Sequence, residues 1–226
     1  MKILVLNGSP KRENSDCLKL TRAFLQGMGE EAEVLNAIYL HVNPCKGCFG
    51  CWQPGAKGCV QRDDMDTVMQ KLTAAELVIF SFPLYCYGMP APLKAVVDRL
   101  LPLSTSEQRV DEDGRTYHPS REKQRLRFMM ISGCGFPNME RNFESAQLQF
   151  ACLFGKDFPR INCLESPMLS ISEAQPAALP YLALCEQAGR EFAAQGRISE
   201  ETQRRLDAPM LDPDEYRRRC NGDWDE

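Results

Sequence analysis

Short apolar runs alternate along this chain with stretches of helical period, and that alternation leaves few folds open. Ile3–Leu6 is a continuous apolar run that ends abruptly in Asn7-Gly8-Ser9-Pro10. Runs of this kind fit strands buried on both faces, as in a parallel sheet covered by helices. Leu18, Phe24, Leu25 and Met28 follow at helical spacing, with Gly29 as a stop. Glu33–Leu40 can hold a second strand, and Glu76–Ser81, Phe128–Ser132 and Ile161–Leu164 a third, fourth and fifth. Between them, Asp63-Asp64-Met65-Asp66 opens a helix running to about Ala75, with acidic residues in its first turn. Leu93, Val96, Val97, Leu100 and Leu101 mark another helical stripe. Helices are also expected over Phe143–Leu153, over Ala177–Ala194 with Pro180 in the first turn, and over Ser199–Leu206. Residues 102–127 are polar and carry Asp113-Gly114, a hairpin signal.

Strand–helix alternation implies right-handed crossovers, a parallel sheet and helices on both faces. No internal repeat or linker divides the chain. One α/β unit is expected over residues 1–196, with a C-terminal extension over 197–226 holding Tyr216 and Trp224. The 226 residues, 43% hydrophobic and 26% charged, exclude collagen-like and largely disordered chains. A net charge of −4 offers no sequence-wide electrostatic case for nucleic acid. No apolar run is long enough to span a membrane, and the short N-terminal run is not a signal-peptide core. A cytoplasmic, reducing location is therefore expected, where eleven cysteines argue for metal or redox chemistry over disulfides.

Parallel sheets bind ligands at the carboxyl ends of their strands, and three loops there are chemically unusual. The first, Gly8–Ser15, offers the hydroxyls of Ser9 and Ser15, the Asn14 amide, the cations Lys11 and Arg12, and the start of a helix. Oriented donors at the positive end of a helix dipole suit a phosphate; a loop with a Ser cap is the plainer reading. The second runs Pro83-Leu84-Tyr85-Cys86-Tyr87-Gly88-Met89-Pro90-Ala91-Pro92. It reads either as a rigid apolar shelf for a flat ring or as a stiff loop packed on the core. In the third, Gly133-Cys134-Gly135-Phe136, glycines let backbone approach a ligand closely.

Together these segments, with Leu93-Lys94 and Asp98-Arg99, resemble the flavodoxin-like NAD(P)H-dependent FMN reductases over about residues 1–195. The resemblance implies a three-layer α/β/α sandwich with five parallel strands ordered 2-1-3-4-5. It implies FMN phosphate on the first loop, held by Ser9, Lys11, Arg12, Asn14 and Ser15. The isoalloxazine ring would lie between Pro83–Met89 and Gly133, Cys134 and Gly135. NAD(P)H would be the electron source, and a quinone, flavin or redox protein the acceptor. With flavin N5 as the reacting centre, no side-chain base is required; the only histidines are His41 and His118.

Cys45, Cys48, Cys51 and Cys59 add a C-x2-C-x2-C-x7-C run after the second strand. Thiolates at this spacing can converge on one soft metal centre, and consecutive steps favour iron–sulfur over zinc. Free structural thiols and a reversible disulfide are the competing readings. The run resembles the iron–sulfur flavoprotein branch of the same family, which implies a [4Fe–4S] cluster on these four residues. Trp52-Gln53-Pro54 and the long last gap depart from that branch's pattern. A homodimer or dimer of dimers is expected, with the aromatic, Arg-rich tail as an arm, and the basic runs around Arg121 and Arg217 are expected to be solvated surface.

Overall fold

Successive residues of a strand face opposite ways, so a strand that is apolar throughout must be covered on both sides. The computed structural model, which describes residues 1–121 and 126–222, meets that demand with β1 (Ile3–Asn7), α1 (Asp16–Met28), β2 (Glu33–Asn36), α2 (Met65–Ala74), β3 (Leu77–Pro83) and α3 (Ala91–Asp98). There follow a small ribbon of β4 (Arg109–Val110) and β5 (Thr116–Tyr117), then β6 (Arg127–Gly133), α4 (Glu144–Phe154) and β7 (Arg160–Cys163). The chain continues through α5 (Gln175–Gln195), α6 (Glu200–Leu206) and α7 (Pro213–Cys220). Five strands pair in parallel in the order β2-β1-β3-β6-β7, which is 2-1-3-4-5 counting sheet strands alone.

Leu4, Leu6, Val78, Phe80 and Met130 face Val68 and Leu72 of α2, Leu93 and Val96 of α3, and Phe150 of α4. Val5, Ile79, Met129, Ile131 and Ile161 face the other way, onto Leu18 and Phe24 of α1 and Leu184 and Phe192 of α5. Each fully buried side chain of this size contributes about 1.5–3 kcal/mol. α1 and α5 touch backbone to backbone: a Cβ on Gly27 would sit 1.9 Å from the Glu186 carbonyl oxygen, and one on Gly189 2.0 Å from that of Phe24.

Three expectations about elements need correction. The second strand stops at Asn36, whose side-chain Oδ1 accepts from Asn7 Nδ2 (2.7 Å), and Ala37–Tyr39 form a 3-10 turn. Pro180 is the sixth residue of α5, past its first turn, so the bond it would donate to Pro176 is lost inside the helix. The tail is not a free arm as far as residue 222: α6 packs on α5 and β7, and Tyr216 of α7 is buried with Met168 and Ala174. Trp224 lies outside the described residues. Among the described residues no helix is long and apolar enough to cross a membrane.

Candidate functional site

The loop after β1 is shaped by Asn7, a buried residue to which sequence reasoning assigned no function. Its Oδ1 accepts from the Ser9 amide (3.1 Å), and its Nδ2 donates to the Arg12 carbonyl (3.1 Å). Gly8 N donates to Ser81 O of β3 (2.8 Å), so the loop leaves the sheet in register. A side chain at Gly8 has no room, because its Cβ would lie 2.7 Å from Leu93 Cδ2. Ser9 and Ser15 are both buried. Ser9 Oγ accepts from Lys11 N (3.3 Å), and Ser15 caps α1 by accepting from Leu18 N (3.3 Å). The amides of Asp16 and Cys17, in the first turn of α1, have no acceptor among the described residues. Serine hydroxyls and free helix-start amides form a cradle that suits an anion.

The two cations of this loop are already engaged. Lys11 Nζ is 3.1 Å from the Asp16 carboxylate, and Arg12, at φ 54°, reaches the Tyr39 hydroxyl and lies over its ring. Lys19 (3.5 Å) and the Ser170 hydroxyl also reach the Asp16 carboxylate, so its charge at the cradle is countered from three sides. Asn14 is exposed.

Beyond β3 the chain makes a two-residue turn in which Tyr85 and Gly88 exchange both backbone hydrogen bonds (2.9 and 3.0 Å). Cys86 and Tyr87 occupy its centre at φ 48° and 65°, a left-handed geometry that costs non-glycine residues about 1 kcal/mol or more each. The Ser145 hydroxyl donates to the Tyr87 carbonyl and holds the turn to α4. Tyr85 and Tyr87 are half exposed, whereas Met89 is buried beneath them. A cleft of about 250 Å3 opens between this turn and the loop after β6, lined by Leu84, Cys86, Tyr87, Cys134, Gly135, Phe136 and Asn142.

The β6 loop is braced from three directions. Leu84 N donates to Gly133 O (2.8 Å), Cys134 N to Cys163 O (3.0 Å), and Tyr216 Oη to Gly135 O (3.0 Å). Gly133 is required by packing, since its Cβ would meet Ser166 at 2.6 Å; Gly135 has only Pro167 nearby and is the open position. Burial pushes the Cys134 thiol up to about 11, so it stays protonated at neutral pH. Glu165, fully buried, ties the tail to the same place. Its Oε2 accepts from the amides of Met210 (2.8 Å) and Leu211 (3.0 Å). Burial raises its carboxyl pKa against the pull of those two amides.

Cys45, Cys48, Cys51 and Cys59 lie in the long connection between β2 and α2, and none is in a disulfide. Cys51 is buried, and its thiol is pushed up by that burial first and by the thiols of Cys59, Cys48 and Cys45 after it. Trp52 is the anchor of this loop: its indole Nε1 donates to Leu101 O (3.1 Å) and Ser104 O (3.0 Å), and its ring packs on Phe49 and His118. Arg121, exposed as its run suggests, also donates to the carbonyls of Ser104 (2.8 Å) and Cys51 (3.1 Å) and so straps the loop. Among the described residues no group of three or more His, Cys, Asp or Glu is placed to hold a metal ion.

A family model described as flavodoxin-like fold matches residues 1–151. The chain belongs to the flavodoxin-like fold family. Within it, this flavodoxin-like chain is 35% identical over 106 residues to an iron–sulfur flavoprotein of Methanocaldococcus jannaschii, covering 46% of this chain and 53% of that protein. It is 36% identical over 102 residues to an iron–sulfur flavoprotein of Methanosarcina thermophila, covering 44% and 52%. The chain spans about half the length of the curated relatives it matches. An FMN-dependent NADH-azoreductase of Bacillus anthracis, solved with FMN, superposes with a TM-score of 0.60 at 17% identity, covering 85% of this chain and 99% of the other. An NAD(P)H:quinone oxidoreductase of Methanothermobacter marburgensis gives 0.60 at 17%, covering 85% and 96%. These two likenesses are of fold.

The flavodoxin-like frame brings the three loops together at one end of the sheet, as read from the strand ends. A larger groove, about 1190 Å3, lies at the opposite end, lined by Arg127, Phe154, Phe158 and Arg160 among others. No residue of the three loops lines it. Asn7, Glu165, Tyr216, Trp52 and the Arg99–Asp63 pair were missed as site-builders. All but Asn7 act through a partner distant in sequence, for which no local spacing exists; Asn7, bonded to Ser9 and Arg12 close by, was signalled as the isolated polar residue ending an apolar run.

Proposed function

We propose that this protein is an FMN-dependent oxidoreductase that carries reducing equivalents from NAD(P)H to an acceptor such as a quinone, a second flavin or a redox protein. The observation that carries this reading is the junction of three loops at the carboxyl ends of β1, β3 and β6. Buried hydroxyls and free helix-start amides lie on one side, and a narrow aromatic-rimmed cleft on the other. Ser9, Ser15 and the Asp16 and Cys17 amides would hold the FMN phosphate. Lys11 and Arg12, engaged with Asp16 and Tyr39, would balance charge and shape the loop from outside. Leu84, Tyr85, Cys86 and Tyr87 would cover one side of the ring, and Cys134 and Gly135 its edge. FMN, when bound, supplies hydride acceptance and electron delivery. The chain's part is to fix the ring against a rigid turn and to leave its outer side open to substrate.

By residue type and spacing, Cys45, Cys48, Cys51 and Cys59 would supply the four thiolates of a [4Fe–4S] cluster, and none of them is in a disulfide. Such a cluster, when bound, supplies single-electron transfer. The names of the relatives favour it, and they favour a second reading as well, an FMN and cluster electron-transfer protein without nicotinamide activity. Rapid anaerobic mixing separates the two: bleaching of the flavin by NADPH or NADH supports the oxidoreductase, and no bleaching supports the electron carrier. Tyr85, Tyr87 and Phe136 leave about half their surface exposed around the cleft. Such an aromatic rim suits cover by a second copy, so light scattering should give at least twice 25.6 kDa.

A further inference from the structure

Arg99 is the largest fully buried side chain among the described residues, and it stands outside both loops and thiols. It follows the last residue of α3, the helix that starts directly after the Pro83–Pro90 segment. Its guanidinium reaches across to the cysteine loop. Nη1 donates to Asn43 O (2.9 Å) and Asp63 Oδ2 (2.8 Å), and Nη2 to Asp63 Oδ1 (3.1 Å) and, more distantly, Gln61 O (3.5 Å). Asp63 Oδ2 in turn accepts from the amide (3.0 Å) and the side chain (2.9 Å) of Asn43. Asn43 precedes Cys45 by two residues, while Gln61 and Asp63 follow Cys59 by two and four. The guanidinium therefore helps to join the two ends of the loop that carries all four thiols, beside Asp64 N to His41 O (3.2 Å), His41 N to Asp64 Oδ2 (2.7 Å) and Gln61 Nε2 to Pro44 O (3.1 Å).

Two further observations point from this group into the loop. Arg99 Nε is buried and has no hydrogen-bond partner among the described residues, and the Cys59 side chain interacts with the same guanidinium and favours its charged form. A buried fork of five donors that leaves one unfilled is an incomplete site. Four thiolates would place concentrated negative charge here, and a fixed, dry cation is the complement such charge needs.

We propose that Arg99 is a positioning residue for the cysteine loop: with Asp63 it clasps residues 43 and 61–63 together, sets Cys45 and Cys59 as members of one site, and presents its charge to the thiolates. The proposal rests on the reading of the four cysteines as cluster ligands. The clasp itself also has a consequence that needs no cluster, because it keeps Cys59 and Cys51 shielded in the metal-free protein.

The test compares the full chain with Arg99→Lys, which keeps the charge and loses the fork, and with Arg99→Met/Asp63→Leu, which removes both buried charges together. Each is reconstituted anaerobically with iron and sulfide. Iron and acid-labile sulfide per chain, FMN per chain and the cluster's reduction potential are measured, and cysteine alkylation rates are read by mass spectrometry on metal-free protein. The expected result is unchanged FMN, at least a fivefold loss of iron in the double variant, and alkylation of Cys59 at least tenfold faster than in wild type. Arg99→Lys should retain part of the iron at a shifted potential. If the double variant fails to fold, the lysine variant's iron content, potential and alkylation rates decide. Wild-type iron content, potential and alkylation rates in a variant that keeps FMN would overturn the clasp. Iron-free wild type would defeat the cluster reading alone, and the alkylation rates would still decide whether Arg99 closes the loop.

Discussion

The strand-end loops and the cysteine loop are held by different means. The loop after β1 leaves the sheet in register through the backbone bond from Gly8 N to Ser81 O, only Asn7 at the strand's own end shapes it by side chain, and its hydroxyls and helix start follow from where β1 ends. The cysteine loop has no strand beneath it. Its 3-10 turn at Gly50–Trp52 is carried by side chains: Arg99 with Asp63 at its base, Trp52 at its tip and Arg121 across it. A site built by backbone inherits its precision from the sheet, whereas one built by side chains depends on a few buried partners. The first should tolerate single polar substitutions better than the second.

The largest expected effect breaks the side-chain-built loop. Asp63→Ala leaves the Arg99 charge buried without its partner, which costs about 3–5 kcal/mol, and thermal melting should show it. The pH dependence has a definite sign. Burial pushes the Asp63 carboxyl up, but bonds from Arg99, Asn43 and the Met65 amide outweigh it and hold it well below the usual range. Its stabilising share is therefore complete above about pH 4, the ordinary Asp value, and declines as the pH falls toward the folded value. Acid melts of Asp63→Asn should lack that component.

A smaller effect is expected on the sheet-built side. Gly8→Ala forces a methyl against Leu93 and Phe82, and overpacking of this kind costs about 1–3 kcal/mol. FMN retention should fall while cysteine alkylation rates stay as in wild type; the reverse pattern would erase the distinction between the two regions.

Much of this was legible beforehand. The five strands follow from apolar runs separated by helical stripes, because burial on two faces writes itself into consecutive residues such as Val78, Ile79 and Phe80; their order came with the family resemblance and not with the periodicity. That Ser9, Ser15 and Leu84–Tyr87 follow the ends of strands was legible for the same reason. The Arg99–Asp63 pair spans 36 residues and Tyr216 to Gly135 spans 81. A contact of that kind is chosen by tertiary packing and leaves no period. Asp63 illustrates the limit, since its acidic run reads as a helix start and its side chain is spent on Arg99.

The smallest predicted effect concerns the tail. Tyr216→Phe removes one hydrogen bond to the Gly135 carbonyl, worth about 0.5–1.5 kcal/mol. Chemical denaturation should register that loss, and FMN should dissociate faster as the β6 loop loosens. Wild-type dissociation would show that backbone bonds alone hold this loop.

The most direct measurement is the affinity of the anaerobically purified chain for FMN against riboflavin, by fluorescence titration. Hydrogen bonds to a charged group contribute about 1.5–3 kcal/mol each, so the phosphate cradle predicts that riboflavin binds at least about tenfold more weakly. Equal affinity for the two, or no binding of either, would contradict a flavin site built on the loop after β1.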